Sequence, residues 1–291
     1  MSRRSTPYAL LGPGFLWLAI FFVIPLVFMG VVALESGSLD QGFAFTWEFS
    51  NFSTSLSDFD TQFVRSFVYA GAATVLCLLI AYPLAYFIAF RGGKYKNALL
   101  LAVIAPFFTT YLIRTIAWQT ILADQSPAVD VLQFVGVVQD DGRVLDTAGS
   151  VIAGLTYNFL PFMILPIYAS LEGIDKRLLE ASKDLYASAS TTFRRITLPL
   201  SAPGVIAGTL LTFIPAVGDY INADLLGGPG QAMIGNVIQS EYLVLKDYPV
   251  AAALSFVLMA LILVVVFVYI RFAGSEALMG DEADAPAKVK L

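Results

Sequence analysis

Long apolar runs separated by short polar stretches recur six times along the chain. A helix that crosses a bilayer needs about 20 mainly apolar residues, and six segments reach that length: 9–34, 64–90, 98–122, 148–172, 200–222 and 250–272. The first follows Arg3 and Arg4. It is too long for the core of a signal peptide, and no small-x-small cleavage site follows Leu34, so it reads as an uncleaved anchor. The pattern predicts an all-α membrane protein, with a six-span domain over residues 1–273 and a disordered tail over 274–291.

Composition removes the soluble alternatives. Apolar residues make up 58% of the 291 and charged residues 13%, against about 45–50% and 25% in ordinary globular chains. Mean hydropathy is +0.76. There is no histidine and one cysteine, Cys77. Imidazole catalysis, histidine-bound metal, disulfides and thiolate clusters are therefore excluded within the chain, and no metal site is expected. Cys77 lies in an apolar run and reads as a small core residue.

Lys and Arg concentrate on the cytoplasmic side of membrane proteins. Placing both termini in the cytoplasm puts most of the 17 basic residues there: Arg3, Arg4, Arg91, Lys94, Lys96, Lys176, Arg177, Lys183, Arg194, Arg195, Arg271, Lys288 and Lys290. The opposite loops are acidic, with Glu35, Asp40, Glu48, Asp58 and Asp60, then Asp124, Asp130, Asp140, Asp141 and Asp146, then Asp224, Glu241 and Asp247. Such a face concentrates cations, although acidic residues also simply keep loops soluble. Pro25, Pro83, Pro106, Pro161, Pro166 and Pro215 fall inside five of the spans, where they bend helices.

The inner loop 173–199 is amphipathic, with Leu178, Leu179, Leu185 and Tyr186 set against Asp175, Lys176, Lys183 and Asp184. A second short stretch, 187–196, follows, and Pro199 is expected to stop any helix before span five. An apolar stripe on a polar loop calls for a partner surface, or for the membrane surface. Glu180-Ala181-Ser182 and, at fixed spacing, Ile196-x-Leu198-Pro199 resemble the EAA motif of permease subunits of ATP-binding-cassette importers. That motif runs E-A-A, three residues, G, nine residues, I-x-L-P. Ser182 replaces its third residue, and Tyr186 stands at its glycine, where a permissive backbone allows a sharp turn.

The resemblance implies a type I importer permease fold in the bacterial plasma membrane, with loop 173–199 docking on a cytoplasmic ATPase. It implies a second homologous permease, expected to be a different chain, two ATPase copies and an extracytoplasmic binding protein. The chain lacks GxxxxGK[ST], so ATP and Mg belong to the ATPase, no cofactor is expected on this chain, and the chain is not itself an enzyme. No nucleic acid is involved; the remaining partner is the lipid bilayer.

Phe213-Ile214-Pro215-Ala216, Gly218-Asp219, Leu225-Leu226-Gly227-Gly228, Ile234-Gly235 and Asp247-Tyr248-Pro249 resemble the spermidine/putrescine branch of the family. Pro106, Tyr111, Arg114-Thr115 and Ala117-Trp118 agree with it. Permeases for ferric iron and other small solutes share parts of this pattern. A polyamine is a chain of ammonium groups joined by methylenes, so carboxylates, aromatic faces and apolar walls suit it. Asp219 and Tyr220 in span five, Tyr111 and Trp118 in span three, and Tyr157 and Asn158 in span four are the pathway candidates, although aromatic residues also form interfacial belts. Arg114 and Asp219 are the charges most clearly inside spans. Arg114 lies about 24 Å along a straight span three, toward the outer leaflet, where the two charges are candidates for a structural ion pair. A secondary transporter remains an alternative, though without a visible internal repeat. An intramembrane aspartyl enzyme would need a second central Asp, and no GxSxG is present.

Overall fold

The computed structural model describes residues 6–136 and 142–273. Arg3, Arg4, Asp140, Asp141 and the expected tail 274–291 lie outside the described residues. Among the described residues, five helices are long and apolar enough to cross a membrane: Leu11–Val32, Asp60–Arg91, Ala148–Glu172, Ala189–Val217 and Tyr248–Ala273. A sixth crossing results if Gly93–Phe108 and Tyr111–Ile121 count as one span, but these two limbs meet at 93°.

That corner is far sharper than the proline bend expected in one continuous third span, and the 24 Å placement of Arg114 does not carry over. Pro106 has no amide hydrogen to continue an α-helix. The chain tightens there into the 3₁₀ turn Ala105–Phe108, and Thr109 and Thr110 then run extended at ψ 143° and 149°. Span five differs in two ways. Pro199 does not stop the helix, because the π turn Phe193–Thr197 precedes it and absorbs the missing hydrogen bond. The helix then ends at Val217, so Asp219 lies in a break before the short helix Ile221–Leu226 rather than inside the span.

The chain forms two compact units. In the larger, which among the described residues holds 64–136, 142–236 and 262–273, the helices Ala148–Glu172 and Leu198–Val217 form the principal pair. Gly204 and Gly208, spaced as small-x-x-x-small, let the backbones close. A Cβ at Gly204 would lie 2.4 Å from Pro166 O, and one at Gly208 would lie 2.9 Å from Met163 Sδ. Cys77, Ala81, Ala85 and Ala89 recur every four residues on the helix Asp60–Arg91. This small-residue stripe packs with Met163, Ile164, Ile167 and Leu171. Cys77 is fully buried, its thiol donating to Thr156 O at 3.3 Å, as a core residue would be.

The smaller unit comprises residues 1–63 and 237–261. Its first span carries a π turn, Ala19–Val23, just ahead of Pro25. A hairpin follows, strand Glu35–Ser38 pairing antiparallel with Gly42–Phe45. Gly37 is obligatory there: its φ is +137°, and a Cβ would strike Gly42 O at 2.1 Å. The Asn51 amide then donates to Ala33 O and Glu35 O, both at 3.0 Å, tying the helix Ser50–Asp58 to the end of the span. Ala33, Ala252 and Ala253 form this unit's core with Met29, Phe52 and Phe256.

Candidate functional site

Tyr111 opens the second limb of the bent segment, and Asp219 lies in the break after Val217. The two breaks meet through these residues, because the Tyr111 hydroxyl donates to Asp219 Oδ2. Asn222 completes the knot. Its backbone N–H donates to Asp219 Oδ1 at 2.8 Å, and its amide donates to the same oxygen at 3.2 Å and to Tyr111 Oη at 2.5 Å. The carboxylate thus caps the turn that starts Ile221–Leu226, as an Asp three residues ahead of a free N–H does. On the other side, Asn158 Nδ2 donates to Asn222 Oδ1 at 3.1 Å and to Thr115 Oγ1 at 3.2 Å. Gly154 makes room: a Cβ there would lie 2.6 Å from Asn222 Oδ1 and 2.3 Å from Leu226 Cδ1.

Asp219 is only 9% exposed, yet no Lys or Arg among the described residues lies within ion-pair distance of it. The candidate pair with Arg114 does not form. The Arg114 guanidinium instead lies over the rings of Phe107, at 4.9 Å, and Tyr111, at 5.6 Å. Phe107 belongs to the first limb and Tyr111 to the second, so this cation clasps the corner, and its Nε and Nη1 are buried without a hydrogen-bond acceptor. Burying a carboxylate is costly unless hydrogen bonds or a cation offset the loss of water. Here hydrogen bonds from Tyr111 and Asn222 do so, with no Lys or Arg of the described residues paired to the carboxyl group.

The structure therefore brings Tyr111, Asn158 and Asp219 into one network. Trp118 and Tyr157 form an edge-to-face pair of their own, with ring centroids 5.4 Å apart. Tyr220 is separate; its carbonyl accepts from Asn236 and its side chain is half-exposed. Asn222 was missed by sequence reasoning. Its signal was present in the spacing Asp219-x-x-Asn222, a capping pattern where a continuous span was expected.

In loop 173–199, the first helix runs Lys176–Asp184, and Leu185 and Tyr186 project beyond it, 81% and 97% exposed. The end is a Schellman turn. The amide of Tyr186 donates to Lys183 O at 2.9 Å and that of Ala187 to Ser182 O at 3.1 Å. Tyr186 adopts φ +55°, so the sharp turn forms without its glycine. Ser182 is buried, its hydroxyl 2.6 Å from Thr192 Oγ1, which staples the helix to the short helix Ala189–Thr192. Phe193 then packs edge-on to Tyr82 and Tyr86 of the helix Asp60–Arg91, at 5.7 and 6.2 Å. Glu180 is exposed and, with Lys176, Lys183, Tyr86, Phe90 and Phe193, lines a groove of 410 Å³. Ala181 is exposed, Ile196 sits in the π turn, and Leu198 and Pro199 begin the following helix.

Comparison with known proteins locates this architecture. Residues 81–274 match the family described as binding-protein-dependent transport system inner membrane component. The chain is 39% identical over 258 residues to a spermidine/putrescine transport system permease protein of Haemophilus influenzae, covering 88% of this chain and 90% of that one. It is 42% identical over 199 residues to the protein of the same name in Escherichia coli, covering 68% and 72%. In fold it is similar to a bacterial ABC transporter involved in import of the acidic polysaccharide alginate, with TM-score 0.67, 21% identity and coverage of 93% and 96%. Matched along two thirds of its length by the family and along most of it by relatives, the chain belongs to the binding-protein-dependent transport system inner membrane components, as a multi-pass permease subunit of an ABC importer with no ATPase site of its own.

Proposed function

We propose that the chain forms half of the pathway by which a polyamine, of the spermidine/putrescine class, crosses the inner membrane. The observation that carries this reading is Asp219: a carboxyl group almost out of reach of water, held by Tyr111 and Asn222, with no Lys or Arg among the described residues paired to it. A diffusible ammonium group supplies what is missing, and the ring pair Trp118–Tyr157 offers faces to a second cationic centre or to the methylenes between. Arg114, turned onto Phe107, leaves that carboxyl group available. The polyamine relatives support the same substrate class. Tyr220, half-exposed beyond the break, is assigned to the approach rather than to the binding network.

Loop 173–199 acts as the coupling element, with Glu180 and its groove meeting the ATPase and Ser182 fixing the two short helices. Both termini lie in the cytoplasm on this reading. A homologous permease, two ATPase copies and an extracytoplasmic polyamine-binding protein complete the assembly. The test is Asp219→Asn in the whole importer reconstituted in liposomes. Oδ1 still accepts from Asn222, so assembly and ligand binding by the external protein persist, while uptake of labelled spermidine and putrescine falls. Uptake at the unmodified rate by correctly assembled importer overturns the assignment.

A further inference from the structure

We propose that the hairpin following the first span is a membrane-interface anchor, with Phe45, Trp47 and Phe49 seated in the headgroup layer of the bilayer rather than against a protein. These three aromatic residues are 44%, 62% and 63% exposed. They form a continuous row, with centroids 4.7 Å apart between Phe45 and Trp47 and 6.1 Å between Trp47 and Phe49. So much exposed aromatic surface on a polar loop calls for a partner.

Two contacts inside the smaller unit fix the depth of the row. The hairpin starts three residues after the first span ends at Val32, and Asn51 ties it back to Ala33. Phe43, on the same strand face as Phe45, packs its ring 5.6 Å from that of Tyr248, the first residue of the helix that runs to Ala273. One end of the hairpin therefore lies at the level where the last span leaves the hydrocarbon. Tyr242 packs edge-on against Tyr248 in turn, at 5.2 Å. Aromatic side chains favour this level, since they present an apolar body to the acyl chains and tolerate the wet boundary.

The charge pattern selects the lipid. Residues 33–59 contain no Lys or Arg but include Glu35, Asp40, Glu48 and Asp58. This suits zwitterionic headgroups, whose ammonium groups are attracted to ring faces, and disfavours an anionic surface. The backbone is also committed to presenting the indole. Trp47 is held at φ +57° while the N–H groups of Thr46 and Glu48 both donate to Leu34 O, at 3.3 and 3.0 Å. A bulky residue is kept in the left-handed region only where its surroundings over-determine it.

Trp47 becomes the sole indole of the full chain when Trp17→Phe and Trp118→Phe are combined. In nanodiscs of zwitterionic lipid brominated near the headgroup end of the acyl chains, its emission should fall to less than half, while aqueous iodide should have little effect. A second measurement uses the assembled importer, purified through a tag on this chain. Cys77→Ala with Phe49→Cys carries a nitroxide that should collide with oxygen more often than with a water-soluble nickel chelate. Quenching by iodide, or preference for nickel, overturns the proposal in favour of a solvated loop. Shielding from both lipid and aqueous reagents overturns it in favour of a protein partner on this face.

Discussion

Tyr186→Gly isolates what a single backbone conformation costs at the proposed coupling surface. Tyr186 holds φ +55° at the end of the helix Lys176–Asp184. An L-residue in this region costs roughly 1–2 kcal/mol, and glycine gives back about 0.5–1 of that through its freer unfolded chain. The side chain is 97% exposed, so almost no burial is lost with it. The net gain is about 0.5–1 kcal/mol, or a two- to fivefold rarer local opening. The amides of Leu185, Tyr186 and Ala187 donate to Ala181 O, Lys183 O and Ser182 O at 3.1, 2.9 and 3.1 Å, and these report the opening. Hydrogen exchange at the amides of residues 185 and 187 should slow by that factor in the isolated chain. Tyr186→Asn, which tolerates the left-handed region better than Tyr, should give an intermediate value. Exchange that is unchanged or faster in Tyr186→Gly refutes the reasoning. If exchange slows as expected but the ATPase no longer co-purifies, Tyr186 makes a contact with the partner that outweighs its strain.

Three further outcomes follow from the same contacts. Gly154→Ala drives a methyl into Leu226 and Asn222 and should lower stability by about 1–3 kcal/mol, as overpacking does; a thermal transition equal to that of the unmodified protein counts against the network's tight seating. Arg114→Gln should cost within about 1 kcal/mol, because no ion pair is broken, whereas loss of one partner of a buried pair costs about 3–5 kcal/mol; scanning calorimetry distinguishes the two. Glu180→Lys should abolish transport while insertion and external ligand binding persist, and normal uptake by this variant removes Glu180 from the coupling surface.

Much of the fold was legible because apolar length is a strong signal: five of the six segments appear as single helices long enough to cross, and the third appears as a bent pair. The EAA-like spacing likewise marked the stretch that folds into two short helices, but gave no sign that Ser182 would be buried between them. What failed was the assumption that an apolar run is one continuous helix. Pro106 could be read as a bend, but a 93° corner also needs Thr109 and Thr110 extended, and two threonines within an apolar run do not announce that. Pairing Arg114 with Asp219 followed from opposite charge in adjacent spans. The corner turned Arg114 onto Phe107 instead, and a contact created by a bend is invisible to any one-dimensional reading. Asn222 was hidden for the related reason that span five stops early.

The two interruptions, at Thr109–Thr110 and Gly218–Tyr220, carry a consequence for hydration. Non-helical backbone within a bilayer is tolerated only where protein covers it or water reaches it, because lipid tails offer its amides and carbonyls nothing. Limb Gly93–Phe108, at about 1.5 Å per residue, extends only about 24 Å, short of the roughly 30 Å of hydrocarbon. The first limb thus ends before the membrane does, and Tyr111 joins that end to the second interruption through Asp219. Water entering at either break arrives at the same hydroxyl and carboxylate. The two interruptions therefore share one polar junction, made by Tyr111, Thr115, Asn158, Asp219 and Asn222, where water reaching either break meets hydrogen-bonding groups instead of lipid tails.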